Sequence, residues 1–338
     1  MRTCRAVLLL ILVAVGAPHA QTPDAAPPDR EPFASWLAHL IEEARTRGIS
    51  ESVIADTLVD LAPLERVIES DRTQAELTPG LDRYLRSRVT PAVIRKGRTL
   101  ARAHRALLTR ITRTYGVPGR VVEAIWGVES GFGRATGRIP IMQALATLAW
   151  EGRRAQFFRG QLFDALTGLD RGYIDASVMR GSWAGAMGQP QFMPSSYLQY
   201  AVDFDGDGRR DIWRSTPDAL ASIANYLAAY GWQRDVPWGW EVRVPEDRAD
   251  AVASAVPTRT EGCYAVRNMT ERAPMSRWRE LGLTRVNGQP LPPRGADVAL
   301  VNAGTRHFLV TASYDAILGY NCAHYYALSV ALLSDRLK

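Results

Sequence analysis

Two short stretches carry the side chains best suited to chemistry: Ala124-Ile-Trp-Gly-Val-Glu-Ser-Gly-Phe-Gly133 and Gly185-Ala-Met-Gly-Gln-Pro-Gln-Phe-Met-Pro194. Val121, Val122, Ala124, Ile125 and Val128 recur at helical spacing, and Gly131 and Gly133 supply the stop. Glu129 follows Ile125 by four residues and Val122 by seven, which places it on the apolar side of that helix. Charged side chains are rarely buried without a partner. Burial disfavours the ionised form, as a general acid working near neutrality requires. The competing reading is a solvated Glu at a frayed helix end, or one paired with Arg134. The second stretch reads as an irregular, glycine-permissive loop. Gln189 and Gln191 offer amides, and Phe192 and Met193 offer apolar surface, to a polar ligand rich in hydroxyls.

A third stretch points to a cation. Asp203-Phe-Asp-Gly-Asp-Gly-Arg-Arg-Asp211 sets carboxylates at the first, third, fifth and ninth positions of an EF-hand loop, with Gly208 sixth and Arg209 at the seventh, carbonyl-donating place. Alternating oxygens of this kind wrap a hard cation. Arg214 stands where the bidentate Glu should close the loop, and Asp218, four residues on, is the nearest substitute. The expected ligands are Asp203, Asp205, Asp207, Arg209 and Asp218 around Ca2+ in a structural role. The alternative is an acidic solvated turn.

The run from Ala124 to Trp232 resembles the lytic murein transglycosylase B family, glycoside hydrolase family 103, whose catalytic core is lysozyme-like. The resemblance rests on Glu129-Ser130 in a glycine-ended helix, Ala144-Leu-Ala-Thr-Leu148, Gly185-Ala-Met-Gly188, Gln191-Phe-Met-Pro-Ser-Ser-Tyr197 and Ala201-Val-Asp-Phe204, in the family's order. It extends less densely over nearly all of the chain after the leader. It implies Glu129 as the catalytic residue, with Ser182 beside it. Gln191, Phe192, Tyr84, Tyr320, Asn321 and Tyr326 are implied as substrate contacts, the last three in a C-terminal segment that returns to the cleft. It also implies a cation loop closed by the downstream Asp218, although this chain runs one residue longer there.

The implied activity is cleavage of the β-1,4 bond between N-acetylmuramic acid and N-acetylglucosamine in peptidoglycan, leaving a 1,6-anhydromuramyl end. That is a carbon–oxygen lyase reaction serving cell-wall remodelling and turnover. Ordinary glycosidases use two carboxyls across the bond. Here only Glu129 has the setting, since Asp203–Asp211 suit a metal and no partner is evident for Asp164, Asp170 and Asp175. Two other readings stay open: a goose-lysozyme-like muramidase that uses water, and a non-catalytic peptidoglycan-binding scaffold on the same fold. A Ser/His/Asp hydrolase is unattractive, because no His sits near a nucleophile motif, and neither HExxH nor CxxC occurs.

Composition agrees with a soluble globular protein: 338 residues, 46% apolar and 22% charged. The formal charge is +6, and +4 without the first twenty residues, which hold Arg2 and Arg5 and no acid. A mildly basic enzyme suits an anionic polymer such as cell wall. No basic cluster with interleaved aromatics singles out nucleic acid. Residues 1–20 read as a secretory signal: arginines, an apolar run from Ala6 to Ala17, then Pro18-His-Ala20. Cys4 precedes that run, so no lipoprotein cysteine follows it. The expectation is an exported, periplasmic monomer without a membrane span, whose partners are glycan strands and cell-wall synthesis or secretion assemblies. Cys263 and Cys322 then remain, and an oxidising compartment permits one disulfide between them. The alternative is two buried thiols.

These groups need a frame, and the expected one is α+β, mainly α: an N-terminal helical region, a lysozyme-like core and a small C-terminal β-rich lobe. The expected divisions are the signal at 1–20, a Pro- and Ala-rich linker at 21–31, and one domain at 32–335, parted into 32–109, 110–235 and 236–335. Helices are expected from Phe33, from Ile49 with Ser50 as N-cap, around Tyr84–Val89, over Glu151–Asp175 and Thr216–Leu227, and from Tyr325 to Leu337. Strands are expected at Glu241–Val244, Asp297–Val301 and His307–Thr311, with Asn302–Thr305 as a hairpin turn.

Overall fold

A computed structural model describes residues 31–73, 80–293 and 295–338. The expected leader and all but the last residue of the expected linker lie outside them. The chain forms two compact units, each drawn from separate stretches. Among the described residues, one holds 31–73 and 129–223, and the other holds 80–128 and 224–338.

In the first unit, Ile141–Glu151 is a helix buried on almost every side, as its near-continuous apolar sequence dictates. It packs against Ala155–Asp170, which in turn carries Pro194–Tyr200. The N-terminal helices Phe33–Thr46, Glu51–Thr57 and Glu65–Arg72 cover this pair. Specific polar ties hold the cover in register. Leu64 N–H donates to Thr147 Oγ1 (3.0 Å), and Gln143 Nε2 donates to the Ala62 carbonyl (2.8 Å). Buried Asp71 takes Arg154, and its carbonyl takes Arg153.

The expected single helix over Glu151–Asp175 is corrected. Gly152, left-handed at φ 101°, ends one helix, and Ala155–Asp170 is a separate one. Asp175 lies beyond it and caps a short 3-10 turn by accepting from Ser177 N–H. Two of the three acids that lacked evident partners have them: Asp170 accepts from Ser50 N–H (2.9 Å), and Asp175 faces Arg214. Ser50 has the backbone of an N-cap, but its hydroxyl bonds Ser52 instead of capping.

The second unit combines the helices Leu81–Arg88, Pro91–Ala103 and Arg105–Tyr115 with a four-stranded antiparallel sheet. Its order is Thr284–Arg285, Gly239–Arg243, Arg306–Val310, Ala299–Ala303. The helix expected around Tyr84 starts earlier, at Leu81, and Val89 only ends it. The hairpin turn narrows to Gly304-Thr305, with Ala303 opposite Arg306. Trp278 is fully buried against the sheet among Val242, Val252, Leu300 and Leu309, its Nε1 donating to the Val298 carbonyl (3.1 Å). The helices Ala312–Tyr320 and His324–Arg336 close the chain. No helix among the described residues is long and apolar enough to cross a membrane. Two helices, Gly119–Ser130 and Thr216–Ala229, contain the points where the chain passes from one unit to the other.

Candidate active site and cation loop

Glu129 is the penultimate residue of the Gly119–Ser130 helix and is only 8% exposed. Three consecutive left-handed residues, Gly131, Phe132 and Gly133, turn the chain sharply after it. Ser130 anchors that turn: its hydroxyl accepts from Gly133 N–H (3.0 Å), and its carbonyl accepts from Ala135 N–H (2.9 Å). Arg134 donates to the Gly131 carbonyl. The chain then runs as a two-residue ribbon, Ile139–Pro140 pairing with Arg180–Gly181.

That ribbon delivers the glycine loop to the segment after Glu129. Gly137 (φ 91°) lies flat on the Gly181–Ser182 peptide; a Cβ there would stand 2.0 Å from the Gly181 carbonyl carbon. Ser182 Oγ accepts from Ala186 N–H (3.0 Å), and Met187 and Phe192 exchange both backbone bonds. Gln191 has a left-handed backbone (φ 55°), which costs on the order of 1 kcal/mol in a residue with a Cβ. Its buried amide holds it there, donating to the Gly188 carbonyl (2.7 Å) and the Thr136 carbonyl (3.1 Å). Glu129, Ser182, Gln191 and Phe192 thus belong to one unit, in segments joined by short backbone and amide bonds.

In the acidic loop, carboxylate oxygens of Asp203, Asp205 and Asp218 lie within 4.8 Å of one another. Asp218 is fully buried at the start of the Thr216–Ala229 helix. Burial pushes its carboxyl pKa up, against the backbone N–H of Phe204 and Asp211, which pull it down. Asp203 accepts from Gly206 and Gly208, curling the loop around its own side chain. Three hard oxygen donors, one of them buried, fit a cation of the calcium class. Asp207 accepts from Arg209 N–H and stands outside this trio, and Asp211 caps the Trp213 and Arg214 N–H groups.

In the other unit, Tyr320 tilts onto Tyr226 (ring centroids 4.7 Å apart) and lies nearly parallel to Tyr326 at 6.4 Å. Tyr226 also stacks on Tyr230 and donates to the Gly319 carbonyl (2.7 Å). Asn321 follows with a buried Oδ1 that has no protein partner among the described residues. Cys322, next in sequence, is joined to Cys263 by a disulfide. Tyr84 is buried beside Tyr325, with the Arg88 guanidinium over its ring.

The transglycosylase SLT domain family matches residues 32–335. The chain belongs to that family. Among curated proteins it is similar to membrane-bound lytic murein transglycosylase B of Escherichia coli (strain K12), 33% identical over 254 residues, 73% of this chain. The match spans 64% of that relative's own length, less than two-thirds. Among solved structures it is similar to SltB3 of Pseudomonas aeruginosa bound to NAG-anhNAM-pentapeptide (TM-score 0.81, 40% identity, 90% of this chain and 78% of that one). It is also similar to the Escherichia coli lytic transglycosylase Slt35 in complex with calcium (TM-score 0.72, 29% identity, 89% of this chain and 92% of that one). The lysozyme-like, mainly helical fold follows from these likenesses.

This transglycosylase SLT chain also ties its acidic loop to its glycine loop, through Gln189, whose amide the sequence suggested for a ligand, and through Ile212, Trp213 and Arg180, which carry no signal in the sequence. Gln189 N–H donates to the Ile212 carbonyl (2.8 Å) and its Nε2 to the Trp213 carbonyl (3.1 Å). Trp213 Nε1 donates to the Arg180 carbonyl (3.0 Å). These bonds join positions more than twenty residues apart, so no local spacing signals them. A cavity of about 310 Å³, lined by Tyr173, Arg210, Trp213 and Arg214, adjoins the loop.

Proposed function

We propose that this chain is a peptidoglycan lytic transglycosylase in which Glu129 alone serves as acid and then base. The observation that carries the reading is the buried carboxyl of Glu129 on a rigid, glycine-terminated helix end, in a family where SltB3 holds an anhydro-muramyl product fragment. Glu129 protonates the glycosidic oxygen between N-acetylmuramic acid and N-acetylglucosamine as the C1–O bond breaks. The 2-acetamido carbonyl stabilises the sugar cation at C1. The Glu129 carboxylate then takes the proton of the muramyl C6 hydroxyl, whose oxygen closes on C1. No water is consumed, and the proton returns to Glu129.

Ser182 and Gln191 act by position. Gln191 fixes the glycine loop against the segment after Glu129, and the Ser182 hydroxyl fixes the turn at Ala186. Tyr320 and Asn321, both partly exposed, are assigned to sugar contacts, the tyrosine face suiting a pyranose and the amide an acetamido group. Phe192, Tyr84 and Tyr326, which the resemblance implies as contacts, are buried, so they are assigned to packing that supports the sugar-facing side chains. Calcium would be held by Asp203, Asp205 and Asp218, with Asp207 and the Arg209 carbonyl completing the shell the motif implies. When bound it supplies charge neutralisation and order to a loop bonded to Gln189. The enzyme acts in the periplasm after export, on glycan strands.

Mass spectrometry of a purified-sacculus digest tests the reading. Products should carry 1,6-anhydromuramyl ends, one water lighter than hydrolysis products. Reducing muramic acid ends would make the chain a muramidase, and an undigested sacculus would make it a binding protein.

A further inference from the structure

Between Asp82 and Glu123 the chain holds ten arginines, one lysine and no acid. Those forty residues carry +11, against +6 for the whole chain, so the remainder carries −5. The charge is therefore concentrated, not general. It falls on Leu81–Arg88, Pro91–Ala103, Arg105–Tyr115 and the start of Gly119–Ser130, all within one unit.

The helix Pro91–Ala103 shows the arrangement most plainly. Arg95, Arg98 and Arg102 recur at steps of three and four and share one face, while Val93, Ile94, Gly97 and Leu100 turn the other way and are wholly or partly buried. Arg105 and Arg113 continue the exposed row on the next helix. Arg95, Lys96, Arg102, Arg105 and Arg113 have no carboxylate partner among the described residues, whereas Arg45, Arg72, Arg154, Arg259 and Arg306 elsewhere are all ion-paired. Arg105, Arg113 and Arg120 also border a groove of about 300 Å³ walled by Ala101, Leu108 and Gly119. The one acid there, Glu123, is buried, and burial pushes its pKa up to about 8, so at neutral pH it does not oppose an anion.

We propose that this basic face docks the protein on an anionic phospholipid surface, its guanidinium groups pairing with headgroup phosphates. Clusters of Lys and Arg on an amphipathic helix favour such a surface, and Arg matches phosphate with paired hydrogen bonds. A single-stranded nucleic acid would call for aromatic faces to stack on, and none of the exposed large apolar or aromatic side chains falls in this stretch. The same absence keeps the contact at the headgroups, without insertion into the acyl region.

Sedimentation of the full chain with vesicles tests this. The probe vesicles are phosphatidylglycerol mixed with phosphatidylcholine at one to three, against phosphatidylcholine alone and against lipid-free sacculi. The variant carries Arg95→Gln, Lys96→Gln, Arg102→Gln and Arg105→Gln, all exposed and outside the catalytic machinery. We expect binding to the anionic vesicles only, lost in half-molar salt. Each charge removed should weaken it roughly fivefold, so the variant should lose at least a hundredfold, with an unchanged melting curve and unchanged activity on soluble glycan fragments. Equal binding to both vesicle types, or undiminished vesicle binding by the variant, overturns the proposal. So does a variant defect seen on sacculi but not on vesicles, which would make the face a wall contact.

Discussion

Glu123 offers a quantitative test of the packing. It sits six residues before Glu129 on the same helix, is 1% exposed, and neither carboxyl oxygen has a hydrogen-bond partner among the described residues. Desolvation pushes its pKa from 4.5 to about 8. The folded protein therefore holds a proton that the unfolded chain releases between those values. Its contribution to stability is fully present below about pH 4.5 and is lost as the pH rises through about 8. Each tenfold change in proton affinity is worth ~1.4 kcal/mol, so the displacement amounts to roughly 5 kcal/mol across the window, as an upper limit. That is a large share of a typical stability of ~5–15 kcal/mol. Glu123→Gln keeps the shape and has no proton to lose. Urea unfolding of both proteins at pH 5, 7 and 9 isolates the residue, because all other titrations cancel in the double difference. The variant should match the parent within ~1 kcal/mol at pH 5, where both side chains are neutral, and exceed it by ~3 kcal/mol or more at pH 9. Parallel loss of stability in the two proteins from pH 5 to 9 would refute the buried, unpartnered carboxyl.

Three further outcomes are expected. A chelator should lower the melting temperature and millimolar calcium should restore it, by mass action on the folded state; identical curves would remove the cation from the Asp203–Asp218 loop. Reduction of Cys263–Cys322, whose ends are 59 residues apart, should lower stability by ~4 kcal/mol in the chain-entropy model and lower activity, read from urea midpoints and sacculus turbidity. Gly137→Ala should cost well over ~1 kcal/mol, because its Cβ would meet the Gly181 and Ser182 backbone at 2.0 to 2.6 Å; a variant as stable as the parent would disprove the close approach.

The helices Phe33–Thr46 and Thr216–Ala229 were legible because period and punctuation agree: each has an apolar face at helical spacing, and Pro217 marks the start of the second. Ile141–Glu151 was not read as a helix, because its near-continuous apolar run shows no amphipathic period. The misreading of Glu151–Asp175 as one helix came from weighing apolar spacing above Gly152, whose left-handed backbone interrupts it. In the β lobe the longer strands were found, with ends shifted by one or two residues. The two-residue strand Thr284–Arg285 and the short helices Ala249–Ala255, Tyr264–Arg267 and Met275–Glu280 were not, being too short to show a period. The acids at Asp203, Asp205 and Asp218 could be listed from spacing, and the fold shows why Asp218 closes the trio and Asp211 does not: Asp211 caps a turn. The Gln189–Trp213 link between the two loops is a tertiary contact, invisible to local pattern.

The central claim, that one carboxyl does both proton transfers, is tested most directly by the turnover of Glu129→Gln on purified sacculi. The amide keeps the side chain's shape and cannot deliver a proton. General acid–base catalysis is worth ~10²–10⁴-fold, so the variant should lose at least ~10²-fold in turnover with an unchanged melting curve. A variant that folds normally and retains more than a tenth of the parent's turnover would contradict the assignment of Glu129.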